Sequence, residues 1–253
     1  MAAPRRANAG LMKPVFAWSS AAITHVGHVR HVNEDALCER PDVGLWAVAD
    51  GMGGHAAGDL ASQMVVAGLA RLKAQPALSL MVEFIEHSLL ESNERLIILA
   101  GERQTIGSTV VVLTVLGGFA AYLWVGDSRL YRYRRGHLRQ LTTDHSQVER
   151  YIEKGLLLRA NAAAHPHGHL LTRAIGARQE LRVDLDVCAL QAGDRFLLCS
   201  DGLDKHLTHA EIAANLAPGE AAASATSLRE LTLARGALDN VTVCIVDIRA
   251  PDE

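Results

Sequence analysis

Residues Leu45-Trp46-Ala47-Val48-Ala49-Asp50-Gly51-Met52-Gly53-Gly54-His55 run an apolar stretch into one carboxylate and then into a glycine-rich turn. Three further aspartates sit in the same kind of place. Asp127 follows Ala121-Tyr122-Leu123-Trp124-Val125-Gly126, and Asp201 follows Phe196-Leu197-Leu198-Cys199-Ser200. Asp239 stands just before Val241-Thr242-Val243-Cys244-Ile245-Val246. Strands packed side by side bring their ends to one rim, so these four side chains can converge although they are far apart in the chain. Clustered carboxylates repel one another, and desolvating each ion costs several kcal/mol. A hard divalent cation is the usual way to offset that cost. The pattern points to an oxygen-ligand metal centre.

The elements around this stretch follow from periodicity. Ile23 to Arg30 and Val43 to Ala49 read as strands. Leu60, Met64, Val65, Gly68, Leu69 and Leu72 recur at three and four, which predicts a helix over Gly58 to Lys73. A second helix is expected over Leu78 to Leu99, with Leu80, Phe84, Ile85, Leu89 and Leu96 inward and Gly101 as its stop. Thr109 to Leu116, Phe119 to Val125 and Leu130 to Arg134 then read as strands, with a hairpin at Gly117-Gly118. A short helix at Gln147 to Lys154 opens a His/Ala/Gly-rich stretch, 144–180, without a clear period, expected as a mobile surface insertion. Strands resume at Leu181 to Ala189 and Arg195 to Ser200. Helices at His209 to Asn215 and Ala221 to Arg235 precede a last strand, Val241 to Ile248. Runs of strands with paired helices give a layered α+β class. Residues 1–17 read as a loosely ordered lead-in and 18–250 as one domain, since no Pro/Ser/Gly-rich linker divides the chain.

Composition removes several function classes. The net charge of −3 provides no footprint for nucleic acid or an anionic membrane. The basic cluster Arg129, Arg132, Arg134 and Arg135 reads as a solvated strand edge. No stretch reaches the ~18 apolar residues that span a bilayer, and Lys13-Pro14 interrupts any secretory core. Cys38, Cys188, Cys199 and Cys244 are widely spaced, as for buried free thiols in a reducing compartment. A cytoplasmic protein is expected.

Taken alone, Asp50-Gly51-Met52-Gly53-Gly54 leaves three readings open: metal ligand, nucleotide loop, or plain turn. The Gly51-x-Gly53-x-x-Ala56 spacing is only a weak dinucleotide match. The acidic residue expected about twenty positions on is missing, because that distance falls at Arg71-Leu72-Lys73. Arg30-His31-Val32-Asn33-Glu34-Asp35 adds two adjacent carboxylates and a guanidinium, the side chain best shaped to hold a phosphate.

Together these blocks resemble the metal-dependent protein phosphatase family (PPM, or type 2C), in its bacterial branch. The resemblance rests on Arg30-x-x-Asn33-Glu34-Asp35, on Val48-Ala49-Asp50-Gly51-Met52-Gly53-Gly54-His55, and on Gly107-Ser108-Thr109. It also rests on Gly126-Asp127-Ser128-Arg129, Ser200-Asp201-Gly202-Leu203 and Asp239-Asn240-Val241-Thr242-Val243. It implies a central β-sandwich of two mainly antiparallel sheets flanked by helices, in four α-β-β-α layers, with 144–180 as a flap. It further implies hydrolysis of phosphoserine and phosphothreonine in proteins, opposing a bacterial Ser/Thr kinase, by a monomer that binds neither nucleic acid nor membrane. On this resemblance Asp50 bridges two Mn²⁺ or Mg²⁺ ions with the Gly51 carbonyl on one of them, and Asp201 and Asp239 hold the other. Glu34 and Asp35 act through bound waters, Asp127 joins Asp201 at a third ion, and Arg30 orients the phosphate. Oxygen ligands without nearby Cys or His favour Mg²⁺ or Mn²⁺ over Zn²⁺.

Two positions depart from the pattern. Met52 stands where animal members carry a His proposed as the proton donor, so that role falls to the Asp127 side of the site. His169 stands in the flap where bacterial relatives often have Asn. A rival metal site at His165-x-His167-x-His169 contains Pro166 and Gly168 and lacks a carboxylate. His25, His28 and His31 alternate faces in a strand. The rival to an enzyme is a binding module with the same fold that has lost its ligands; here the ligand positions are all filled.

Overall fold

A computed structural model describes residues 16–53, 57–101, 105–168, 170–217 and 219–251. Eleven strands are present among them: β1 (Ala17–His25), β2 (Asp35–Arg40), β3 (Leu45–Met52), β4 (Gly107–Ser108), β5 (Val110–Leu116), β6 (Phe119–Val125), β7 (Arg129–Arg134), β8 (His137–Gln140), β9 (Asp184–Ala189), β10 (Arg195–Cys199) and β11 (Val241–Arg249). The helices are α1 (Ala57–Ala70), α2 (Leu78–Ala100), α3 (Gln147–Glu153), α4 (Asp201–Asp204), α5 (His209–Asn215) and α6 (Ala221–Ala234).

Two antiparallel sheets stack face to face. One runs β1-β11-β10-β7-β8, and the other β2-β3-β5-β6-β9 with β4 attached to β3. Their central strands are buried along almost their whole length and largely apolar because both faces are covered. Along β3, Trp46 and Val48 point between the sheets while Leu45, Ala47 and Ala49 meet the α1/α2 layer. Along β10, Phe196 and Leu198 point between the sheets, whereas Leu197 and Cys199 face the α5/α6 side. The expected α-β-β-α sandwich is therefore found.

Boundaries differ from expectation in a few places. The first strand is Ala17–His25, not Ile23–Arg30, because β1 pairs with β11 from Ala17↔Arg249 through His25↔Val241. The lead-in 1–17 lies mostly outside the described residues. β2, β8 and α4 lacked a periodic signal of their own: they are short or strongly charged. On α2 the inward face is Met81, Ile85, Ser88, Leu89, Ser92, Asn93 and Leu96, while Leu80 and Phe84 are exposed. Small polar residues fill that face because α1 comes close there, and a Cβ on Gly68 would meet the Ser88 hydroxyl. Of the arginine cluster only Arg135 is a solvated, exposed side chain, and Arg129, Arg132 and Arg134 are half-buried. Arg129 pairs with Asp144 and Asp204, and Arg134 pairs with the buried Asp194.

The stretch after β8 is tied down at its base. Ser146 pairs with Leu171 and Ser108 with Ile175 in single β-bridges, and Asn93 holds Gly176 N–H with its side-chain oxygen at 2.7 Å. Ser146 caps α3 by accepting the Glu149 N–H. Between these ties lie α3 and a 3₁₀ turn, Arg159–Ala164.

Phe196 is fully buried between the sheets and Phe84 is 45% exposed. Phe196→Ala is expected to cost about 3–5 kcal/mol and Phe84→Ala about 0.5 kcal/mol or less, read from urea unfolding midpoints. Equal costs would contradict the assigned layers.

Candidate metal centre

Strand ends do gather the acidic residues on one edge of the sandwich. Asp35 opens β2 directly across from Asp50, which lies inside β3 rather than beyond its end. Asp127 follows β6 in the turn to β7, Asp201 opens α4 directly after β10, and Asp239 precedes β11. β3 and β6 flank β5, and β10 pairs with both β7 and β11, so the two sheets deliver these ends side by side.

Backbone and side-chain polar groups fix the segments that carry them. Asp50 is held on both sides of its peptide by Thr109: the Thr109 hydroxyl accepts the Asp50 N–H at 3.1 Å, and the Thr109 N–H donates to the Asp50 carbonyl at 2.8 Å. Thr109 in turn shares a 2.7 Å hydrogen bond with the buried Ser128, one residue after Asp127. Gly51 donates its N–H to the Glu34 carbonyl, and a Cβ there would overlap the carbonyls of Gly58 and Glu34. Only glycine fits that crossing. Gly202 is required for the same reason, against the Asn240 carbonyl.

The loop bearing Arg30 and Glu34 hangs on the buried Asn240. Its amide donates to the carbonyls of Val26 at 2.8 Å and Val32 at 3.0 Å, and its oxygen accepts the Glu34 N–H at 2.8 Å. Asn33 adds bonds to the Asp35 N–H and the Thr24 hydroxyl. Ser200 donates to Asp35 Oδ2 at 2.7 Å, while Asp35 Oδ1 is buried with no partner. Ser108, whose hydroxyl donates to the Asp50 carbonyl at 3.1 Å, joins Thr109, Ser128, Ser200 and Asn240 as the positioning residues that a search for charged groups overlooks. The only sequence signal for them was their place in the blocks beside the acidic residues.

Three cations lean on the rim. Arg30 grips Asp239 with two nitrogens at 2.9 and 3.0 Å. Lys205, one turn after Asp201, pairs with Asp201 and stands 3.7 Å from Asp239. Arg129 bridges Asp144 at 2.6 Å and Asp204 at 2.7 Å. Lys205 and Asp204 went unnoticed in the sequence, because they have no motif of their own beyond following Asp201-Gly202.

The electrostatics are those of too many carboxylates in one place. Burial pushes Asp35 up to about 7, with Asp201 and Asp239 adding like charge against the Ser200 and Thr242 hydroxyls. Burial pushes Asp127 to about 8, reinforced by Asp201, Asp144 and Asp204. Asp50 is held well above the ordinary carboxylate range by burial and then by Asp35, Asp201, Asp127 and Asp239. Glu34 is raised by burial, with Arg30 opposing. Among the described residues no three His, Cys, Asp or Glu side chains close into a ready-made cage. An orphaned buried oxygen on Asp35 and mutually repelling oxygen donors nevertheless fit a hard divalent cation rather than a soft one.

The remaining expectations fall as follows. Met52 pairs with Gly107 and, with Leu171, Arg173 and Leu181, lines a separate cavity of about 200 Å³. His165 and His167 meet each other edge-on beside Tyr151, and His165 also lines the cavity that contains Asp127 and Asp201. His55 and His169 lie outside the described residues. Cys38, Cys199 and Cys244 are buried, and burial pushes the Cys38 thiol to about 11, which removes a thiolate nucleophile. No helix among the described residues is long and apolar enough to cross a membrane.

Comparisons with known proteins bear on the family and the fold. A family model described as protein phosphatase 2C matches residues 28–233. The chain is 35% identical over 231 residues to the serine/threonine protein phosphatase PstP of Mycobacterium tuberculosis, covering 90% of this chain but 44% of PstP. It thus spans less than half the length of that relative. The solved catalytic domain of PstP, in complex with two manganese ions, superposes with a TM-score of 0.83 at 34% identity, covering 92% of this chain and 99% of that domain. Protein phosphatase PhpP of Streptococcus pneumoniae is 33% identical over 91% of this chain and 97% of its own length. The structure of PppA, a key regulatory component of T6SS in Pseudomonas aeruginosa, matches at TM-score 0.87 and 42% identity, over 92% of this chain and 99% of that one.

The raised carboxyls carry a sign for stability. A carboxyl whose folded pKa exceeds its unfolded value of about 3.9 stabilises the fold at low pH, and that contribution is lost as pH rises through the folded value. In EDTA the melting temperature is therefore expected to fall between pH 5 and pH 8, where Asp35 and Asp127 deprotonate, and excess Mn²⁺ is expected to abolish the fall. Melting in EDTA that is flat or rises over this range would contradict the crowding of the rim.

Proposed function

The chain belongs to the protein phosphatase 2C family, and from that premise we propose that it hydrolyses phosphoserine and phosphothreonine in proteins, reversing a bacterial Ser/Thr kinase. The observation that carries the reading is the gathering of Asp35, Asp50, Asp127, Asp201 and Asp239 on one edge, with Arg30 half-exposed beside them. Divalent ions bound there supply Lewis-acid charge and lower the pKa of water for attack on phosphorus. We assign Asp50, Asp201 and Asp239 to hold the ions directly, with the Gly51 carbonyl on Asp50's side. Glu34 and Asp35 orient water through their free oxygens, Asp35 Oδ1 above all.

Arg30 keeps its charge at any pH of interest and is 49% exposed, so it can turn from Asp239 to a phosphate with little desolvation. It takes a doubly charged monoester bidentately and shields the equatorial oxygens as negative charge shifts toward the leaving group. Met52 cannot donate a proton, and it lines a cavity that includes none of the rim aspartates. The Asp127 carboxyl, which shares a cavity with Asp201, is the group of this chain assigned to govern the leaving-group proton. The segment 144–180 acts as the flap that meets the phosphoprotein, within a single domain over 18–250. A cytoplasmic monomer completes the reading.

Turnover of p-nitrophenyl phosphate and a phosphothreonine peptide, with and without Mn²⁺, tests it. Asp50→Asn should abolish metal-dependent release of phosphate from both. Asp127→Asn should slow the peptide by about 10²-fold and p-nitrophenyl phosphate far less, since nitrophenolate leaves without a proton. No Mn²⁺-dependent release by the wild type would overturn the function, and equal slowing of both substrates would remove Asp127 from the proton's path.

A further inference from the structure

We propose that Lys205 is a built-in counter-ion of the acidic rim, competing with divalent cations for Asp201 and thereby setting how tightly they are held. The inference rests on the reading of the rim as a metal centre. Lys205 follows α4 by one residue, four positions after Asp201, and its ammonium pairs with Asp201 Oδ2 and stands 3.7 Å from Asp239 Oδ2. Its side chain is 45% exposed, so no core packing holds it there. With Asp127 and Asp201 it lines one cavity of about 570 Å³.

The other cations of the neighbourhood are committed elsewhere. Arg129 is fixed between Asp144 and Asp204 and has the Tyr131 hydroxyl as a third partner. Arg30 grips Asp239 alone. Among the described residues the ion pairs of Lys205 are made only with the two rim aspartates. An ammonium and a divalent cation on the same carboxylate repel each other, so a cation that takes Asp201 either displaces Lys205 or is held more weakly beside it. The four-carbon stem and partial exposure let the ammonium withdraw into solvent without leaving a buried charge. A cation that binds only the released state loses the free energy of the pair from its affinity. Lys205 thus offsets part of the negative charge of Asp201 and Asp239 and raises the concentration at which metal stays.

Isothermal titration with Mn²⁺ alone, on EDTA-stripped protein, reads this directly. Lys205→Met should bind Mn²⁺ roughly fivefold more tightly, the scale of a half-exposed ion pair, whereas Lys205→Arg should bind as the wild type does. In EDTA the Met variant should melt below the wild type, and Mn²⁺ should close the gap. Lys205→Gln serves as a second neutral variant should Met impair folding. Unchanged or weaker Mn²⁺ binding in both neutral variants, with normal uptake by the wild type, overturns the role of Lys205 alone. A raised KM for phosphopeptide at unchanged Mn²⁺ affinity also overturns it, making Lys205 a substrate contact. A wild type that takes up no Mn²⁺ removes the metal centre itself.

Discussion

Repulsion among buried carboxylates is the constraint on which the rest of this molecule depends. Asp35 faces Asp50 across two paired strands, and Asp127, Asp201 and Asp239 complete a rim that solvent cannot fully neutralise. Such an arrangement survives only if the surrounding framework is stiff enough to refuse relaxation. The sandwich supplies that stiffness, because the strands feeding the rim are buried on both faces and cannot slide without turning apolar side chains outward.

A second tier of neutral groups converts stiffness into position. Thr109 and Ser128 link the segments of Asp50 and Asp127, Ser200 links those of Asp201 and Asp35, and Asn240 hangs the loop of Arg30 and Glu34 from the start of β11. Hydroxyls and amides suit this task because they bridge without adding charge to a site already overcharged. The two tightest backbone crossings, at Gly51 and Gly202, sit beside Asp50 and Asp201 and admit no side chain. The acidic groups and the glycines are one device seen from two sides.

Much of this was legible in the sequence, for stated reasons. Apolar strands ended by single aspartates announced both the sheets and the rim, since strand ends must share an edge. Long amphipathic helices and the Gly117-Gly118 hairpin were equally plain. What escaped was context-dependent. Hydrophobicity alone places Phe84 inward, whereas the approach of α1 to α2 through Gly68, Ser88 and Ser92 turns that face of the helix inward instead. The arginines after Asp127 looked solvated because their partners, Asp144, Asp194 and Asp204, are 15 to 75 positions away in the chain. Lys205 was silent, since a lysine beside an aspartate is ordinary until the fold adds a second aspartate to it.

Arg129 has a wider meaning than its ion pairs. It begins β7, opposite Cys199 of β10, and its guanidinium joins Asp144, at the root of the 144–180 segment, to Asp204, at the end of the α4 turn that carries Asp201. Pulling Asp144 away would strand a half-buried charge, so the root of that segment is anchored to the same framework as the rim. With the Ser108–Ile175 and Ser146–Leu171 bridges and the Asn93 clasp closing the other side, everything between the anchors is a cassette. The sandwich holds the rim and the anchors hold the ends of the segment, so a change of sequence between the anchors leaves the framework of the acidic edge in place.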